Sequence, residues 1–247
     1  MRVRVHPDTG SMARAAADQA ASVIAAAIAS RGVAHVMFAT GNSQLAFVDA
    51  LTTETPAVAW TDLVAFHMDE YVGVGPDHPA GFQRWIRERI ADRVRLREVH
   101  YIDGLADPGP ECERYAALLR TFPLDLCCLG IGENGHLAFN DPPFADFDDP
   151  LDLKVVELDE ASRRQQVGEG HFAKMGDVPR LAVTVTVPAL LRARQVLAIV
   201  PEGRKAEAVR TALEGPISTD CPASVLRTRD NVTLHLDSDS ASRLAPG

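Results

Sequence analysis

The chain has 247 residues, of which 25 are basic and 34 acidic, giving a formal net charge of −9. With 46% hydrophobic and 24% charged residues it has globular proportions, which excludes an intrinsically disordered chain. The acidic balance argues against nonspecific nucleic-acid binding, which needs a basic footprint, but leaves room for a local basic pocket around a small anion.

Residues 11–31 are Ala-rich with an apolar stripe and predict a first helix, stopped by Gly32. Residues 33–39 read as an apolar strand running into Thr40-Gly41-Asn42-Ser43, and 44–52 as the next helix. Residues 63–67 form a second strand, ending in Met68-Asp69-Glu70-Tyr71, and Pro79 is placed to open a helix to about Ala91. A weak strand at 99–102 and a helix at 110–120 follow. The continuous apolar run 124–129 predicts a strand covered on both faces. The Pro- and Asp-rich segment 140–152 reads as a loop, 155–158 as a strand and 160–166 as a short helix. Strand 181–187, helix 188–194, strand 196–200, helix 204–214 and strand 231–236 complete the pattern.

Strands and helices alternate throughout, without an internal repeat or linker. This predicts a single-domain, doubly wound α/β fold of modified Rossmann type, with a mainly parallel sheet and helices on both faces. No run of eighteen apolar residues predicts a membrane span. The N-terminal segment, carrying Asp8 and Asp18, lacks the apolar h-region of a secretion signal. Cys112, Cys127, Cys128 and Cys221 form no metal-ligand pairs and read as reduced, buried thiols. The expected location is the cytoplasm.

In such folds ligands sit beyond the carboxyl ends of the strands, and three of those ends carry chemistry. At Thr40-Gly41-Asn42-Ser43, a Gly turn before a helix leaves N–H groups free for a phosphate; equally, Ser43 can simply cap the helix. At Asp69-Glu70, a partly desolvated carboxylate can act as a base, against the plainer reading of a solvated turn. At Gly130-Ile131-Gly132-Glu133-Asn134-Gly135-His136, glycines let the backbone approach a ligand, and His136 is of the residue type suited to proton transfer, flanked by Asn134 and Asp141. Lys205, just after a strand, supplies a cation for an anionic ligand. Arg163 and Arg164 fit that need and a solvated basic face equally well.

Four ordered blocks carry a resemblance: Thr40–Ser43, MDEY with Asp77-His78-Pro79, GIGENGHLAFND at 130–141, and the pair LAVTVTVPALLRAR and EGRKAEAVRTALEGP. Together they resemble the glucosamine-6-phosphate deaminase/isomerase family over nearly the whole chain. The related 6-phosphogluconolactonases differ by an Arg after the Asp-Glu pair and a GHTASLFP-like block, where this chain has Tyr71 and Leu137-Ala138-Phe139-Asn140.

The resemblance implies conversion of glucosamine 6-phosphate and water to fructose 6-phosphate and ammonia, in amino-sugar catabolism. It implies His136 as the proton shuttle for ring opening, with Asn134 and Asp141 holding its tautomer. Asp69 would carry the proton from C2 to C1, and Gly41, Asn42, Ser43, Arg163 and Lys205 would bind the phosphate. It requires no metal and no organic cofactor. Asn134 stands where many members have Asp, and Asp141, one methylene shorter, where Glu is commoner. Residues 144–175 correspond to a mobile lid. The expected partner is a small amino-sugar phosphate, with neither nucleic acid nor membrane involved, and homo-oligomers are compatible with the family. The alternatives are a galactosamine-6-phosphate deaminase, a lactone hydrolase disfavoured by Tyr71 and Phe139-Asn140, and a non-catalytic sugar-phosphate sensor on the same fold.

Overall fold

The computed structural model describes residues 1–55, 58–142 and 144–245. Pro143, inside the segment expected to be a loop, lies outside the described residues. In chain order the strands are β1 (Arg2–His6), β2 (Ala34–Phe38), β3 (Leu63–His67), β4 (Asp69–Tyr71), β5 (Glu98–His100), β6 (Leu126–Leu129), β7 (Leu153–Glu157), β8 (Leu181–Val185), β9 (Gln195–Val200) and β10 (Val232–Asp237). The helices are α1 (Thr9–Arg31), α2 (Leu45–Asp49), α3 (Phe82–Ile86), α4 (Pro108–Thr121), α5 (Glu160–Gly168), α6 (Val187–Leu191) and α7 (Ala206–Glu214). None is long and apolar enough to cross a membrane.

Seven strands make one sheet in the order β1-β10-β9-β6-β2-β3-β5, with every pair parallel. Side chains alternate across a strand, so adjacent residues serve opposite layers. Val36 and Phe38 of β2, with Leu126 and Cys128 of β6, pack with α1 and α2. Met37, Cys127 and Leu129 pack with α4, α6 and α7 on the other face. This two-sided burial explains the unbroken apolar run of β6. The buried thiols within it are free, and burial raises Cys127 to about 12.

The stripe of α1 is mostly alanine (Ala13, Ala16, Ala17, Ala20, Ala21 and Ala27), which lets a long helix lie close on the sheet. Asp8 caps its start by accepting the Ser11 N–H at 2.7 Å. Gly32 ends it at φ 74°, a left-handed geometry natural to glycine.

From β2 the chain winds outward through β3 and β5, then returns to β6 on the other side of β2 and continues through β9 and β10. The reversal between β2 and β6 opens a crevice at their carboxyl ends.

The structure corrects three expectations. Residues 155–158 and 181–187 do not join the parallel sheet. β7 and β8 form a separate antiparallel sheet with β4, in the order β4-β8-β7. The physical reason shows in β7, where Val155 is exposed between better-buried neighbours, the alternation of a sheet with one solvated face. Pro79 does not open a helix. The Glu70 carboxylate accepts the N–H groups of Phe82 and Gln83 and thereby fixes the start of α3 three residues later. Residues 2–6, given no strand from sequence, pair in register with β10 from Arg2↔Thr233 to His6↔Asp237.

Candidate active site

The ends of four neighbouring strands, β9, β6, β2 and β3, surround one cavity with about 80 Å³ of water-accessible space. Gly41, Ser43, Asp69, Gly132, His136 and Lys205 line it, and α5 closes it with Gln165 and Gln166, followed by Glu169 just past its end.

The Thr40–Ser43 turn is built around Gly41, at φ 95°, where an L side chain would be strained. Gln44, 1% exposed, sends its Nε2 to Ser43 Oγ at 3.2 Å and to the Ile199 carbonyl at 3.1 Å, tying the ends of β2 and β9 together. Asn42 points elsewhere: its Nδ2 donates to the Glu169 carbonyl at 3.4 Å. Lys205, 2% exposed, reaches the cavity with no hydrogen-bond partner for its ammonium among the described residues.

Asp69 opens β4, opposite Thr184 of β8, and is 6% exposed. Burial, reinforced by the Glu70 and Asp141 carboxylates, raises its carboxyl well above the ordinary range. Glu70 faces away from the cavity and accepts backbone N–H groups of Tyr71, Phe82 and Gln83. Burial nevertheless lifts it to about 7. Two adjacent carboxylates thus divide their work, one lining the cavity and one holding the local backbone.

The 130–141 loop folds back on itself through the Gly132 N–H to the His136 carbonyl, and the Gly135 N–H to the Gly132 carbonyl, both at 3.0 Å. Gly135 sits at φ 86°, and a Cβ there would meet Cys221 Sγ at 2.7 Å. A Cβ on Gly132 would overlap the His136 ring. The ring's Nδ1 lies 3.0 Å from Asp141 Oδ1. That contact places the proton on Nδ1 and leaves Nε2 as the free ring nitrogen. Asn134 acts on the pair differently from the sequence expectation. Its Oδ1 accepts the His136 backbone N–H at 3.1 Å, and its Nδ2 donates to Asp141 Oδ1 at 3.2 Å, so it holds the loop and the carboxylate, not the ring. Asp141 reaches His136 despite its short side chain. Burial raises its carboxyl, but bonds from His136, Ser162 and Asn134 bring it below the ordinary value. Asn140 fastens this loop to the small sheet by donating to the Val185 carbonyl at 2.9 Å.

Arg163 is not in the cavity. Its guanidinium donates to the carbonyls of Met175 at 2.7 Å and Val178 at 3.1 Å, holding the segment after α5. Ser162, its neighbour on α5, was not anticipated. It is 1% exposed, donates to Asp141 Oδ1 and lies 3.3 Å from His136 Nδ1. Ala138 was also missed: it lines the cavity at φ 50°, a rare conformation for a residue with a Cβ. Neither residue has a sequence signal of its own, because each acts through a position that only folding creates. Among the described residues no group of three His, Cys, Asp or Glu side chains is arranged to hold a metal ion.

Known proteins resemble this chain in sequence and fold. The glucosamine-6-phosphate deaminase of Exiguobacterium sibiricum is 37% identical over 84% of this chain and 80% of its own length. That of another Exiguobacterium strain is 38% identical over 76% of this chain and 73% of its own. Among solved structures, a monomeric glucosamine-6-phosphate deaminase superposes with a TM-score of 0.89 at 29% identity, over 98% of this chain and 99% of the other. The 6-phosphogluconolactonase of Trypanosoma brucei shares the fold, with a TM-score of 0.82 at 19% identity over 99% and 98% of the two chains. Residues 7–235 match the pattern of glucosamine-6-phosphate isomerases/6-phosphogluconolactonase, and the chain belongs to that family.

Proposed function

We propose that this protein is a cytoplasmic glucosamine-6-phosphate deaminase acting on the sugar phosphate without a cofactor. The observation that carries the reading is the pairing, around one cavity, of a buried carboxyl at Asp69 with the His136–Asp141 couple and the Lys205 ammonium, which has no hydrogen-bond partner among the described residues. Lys205 and the N–H groups after Gly41 hold the phosphate. His136, its Nδ1 proton fixed by Asp141, uses Nε2 to move a proton from the anomeric hydroxyl to the ring oxygen, which opens the sugar. Asp69 then takes the proton from C2 and returns it to C1. Its buried carboxylate is a stronger base than a solvated one, and the nearby substrate ammonium favours its ionised form. The resulting C2 imine adds water and expels ammonia, leaving fructose 6-phosphate. Asn134 and Ser162 position the His–Asp couple, and α5, within the expected lid, shields the enol-type intermediate from water.

The test is ammonia release from glucosamine 6-phosphate, with Asp69→Asn beside the wild type. Release that falls at least about 10³-fold in the variant supports both the reaction and the base. Silence of the wild type toward this sugar and galactosamine 6-phosphate refutes the deaminase reading. Preference for the second sugar would correct only the epimer.

A further inference from the structure

The end of α5 brings a carboxylate to the place where the proposed reaction needs a phosphate. Glu169 lines the same cavity as Gly41, Ser43 and Lys205, and its side chain is 7% exposed. Its Oε1 accepts from Gln165 Nε2 at 2.8 Å and Arg204 Nη1 at 3.0 Å, and its Oε2 lies 3.3 Å from His171 Nε2. Its backbone carbonyl receives the Asn42 side chain from the glycine turn. Burial alone would raise this carboxyl. The bonds from His171 and Gln165, with the charges of Arg204 and Lys205, instead bring it to about 2. Glu169 is therefore an anion at neutral pH, held by cations and amide donors of the kind that bind phosphate.

The cavity's size leads the same way. About 80 Å³ is below the roughly 300–1,000 Å³ of sites that take small organic ligands, so Glu169 occupies room that a sugar phosphate would use. The hydrogen bonds of Glu169 run to Gln165, Arg204, His171 and Asn42, and not to Asp69 or His136.

We infer that Glu169 is an internal occupant of the phosphate subsite, whose carboxylate the substrate's phosphate must displace. The inference rests on the phosphate subsite of the proposed function and adds a competitor to it. Displacement frees the Glu169 side chain from Gln165, Arg204 and His171 while α5 stays over the reacting carbons, so phosphate arrival and enlargement of the site are one event. Weak anions that cannot compete with a buried carboxylate are kept out.

The experiment is calorimetric titration of the full chain with inorganic phosphate at neutral pH, comparing wild type with Glu169→Gln. The substitution keeps the side chain's size, and Arg204 retains Glu133 and Glu202 as ion-pair partners, so its own anchorage survives. The variant is expected to bind phosphate about tenfold more tightly, corresponding to about 1.4 kcal/mol. Equal or weaker binding overturns the inference. Should Glu169→Gln not fold, His171→Ala serves in its place. It frees Oε2 and leaves Glu169, Arg204 and Lys205 in place, and severalfold tighter binding is expected; unchanged affinity overturns the inference. Ammonia release is scored separately. Tighter phosphate binding in protein that releases no ammonia would retain the internal anion and remove the deaminase. Ammonia release with equal phosphate affinities would do the reverse.

Discussion

Gly132→Ala is a change of one methyl group that the backbone accepts and the site does not. Gly132 is not in the left-handed region, so alanine brings no backbone strain, and its Cβ would overlap Cε1, Nδ1 and Nε2 of His136. The ring cannot yield cheaply, because its side chain is 13% exposed and held at 3.0 Å by Asp141. Relief of the overlap requires a shift of about 1 Å, and misplacement on that scale costs about 10² in rate. Overpacking of this kind also removes about 1–3 kcal/mol of stability, or about 2–12 °C in Tm for a chain of this size. The assay is kcat for ammonia release alongside thermal unfolding, with Gly176→Ala as control, since a Cβ there meets nothing within 4 Å. A folded Gly132→Ala protein with wild-type kcat would refute the assignment of His136's ring to the reaction.

Two further outcomes follow from other buried groups. Ser162→Ala removes a donor that helps to depress the Asp141 carboxyl, so Asp141 takes up its proton at higher pH. The Asp141 titration, followed by NMR of its side-chain carboxyl, should move up by as much as about one pH unit while kcat falls about tenfold, and Ser162→Thr should restore both. An unmoved Asp141 titration would make Ser162 merely structural. His235 is lowered to about 4 by burial and by the nearby His6 and Arg4 charges. A histidine kept neutral in the fold protonates more readily when unfolded. Its stabilising contribution, at most about 3 kcal/mol, is therefore lost as pH falls from about 6.5 toward 4. Urea unfolding of His235→Asn should show a shallower acid loss than the wild type, with His67, lowered to about 3, sustaining the rest. Parallel curves would refute this.

The sequence revealed what is local and repeated. The α1 stripe ending at Gly32, the doubly buried β6, and the glycine turns before Asn42 and His136 are all written in neighbouring residues. It did not distinguish the two sheets, because β8 is apolar on either reading and only the pairing with β4 and β7 decides. Arg163 illustrates the limit for a site residue. A cation on a short helix beside a proposed anion site invites a ligand role, yet its carbonyl partners at Met175 and Val178 lie 12 and 15 residues away. Ser162 and Glu169 were hidden for the complementary reason. Their partners, Asp141 and Arg204, lie 21 and 35 residues distant, and no periodicity records such a meeting.

The pairing of β1 with β10 sets an order of events during synthesis. Of these strands β1 is made first, and its hydrogen-bonding partner lies some 231 positions later, from Arg2↔Thr233 onward; α1 likewise packs against β9 and β10. Until those residues are made, the alanine stripe of α1 and one edge of β9 lack their native cover. The nascent chain must therefore carry an unfinished sheet margin until β10 is made, and closing so long a loop is slow. Ribosome-bound chains halted before β10 are where chaperone engagement and misassembly should concentrate.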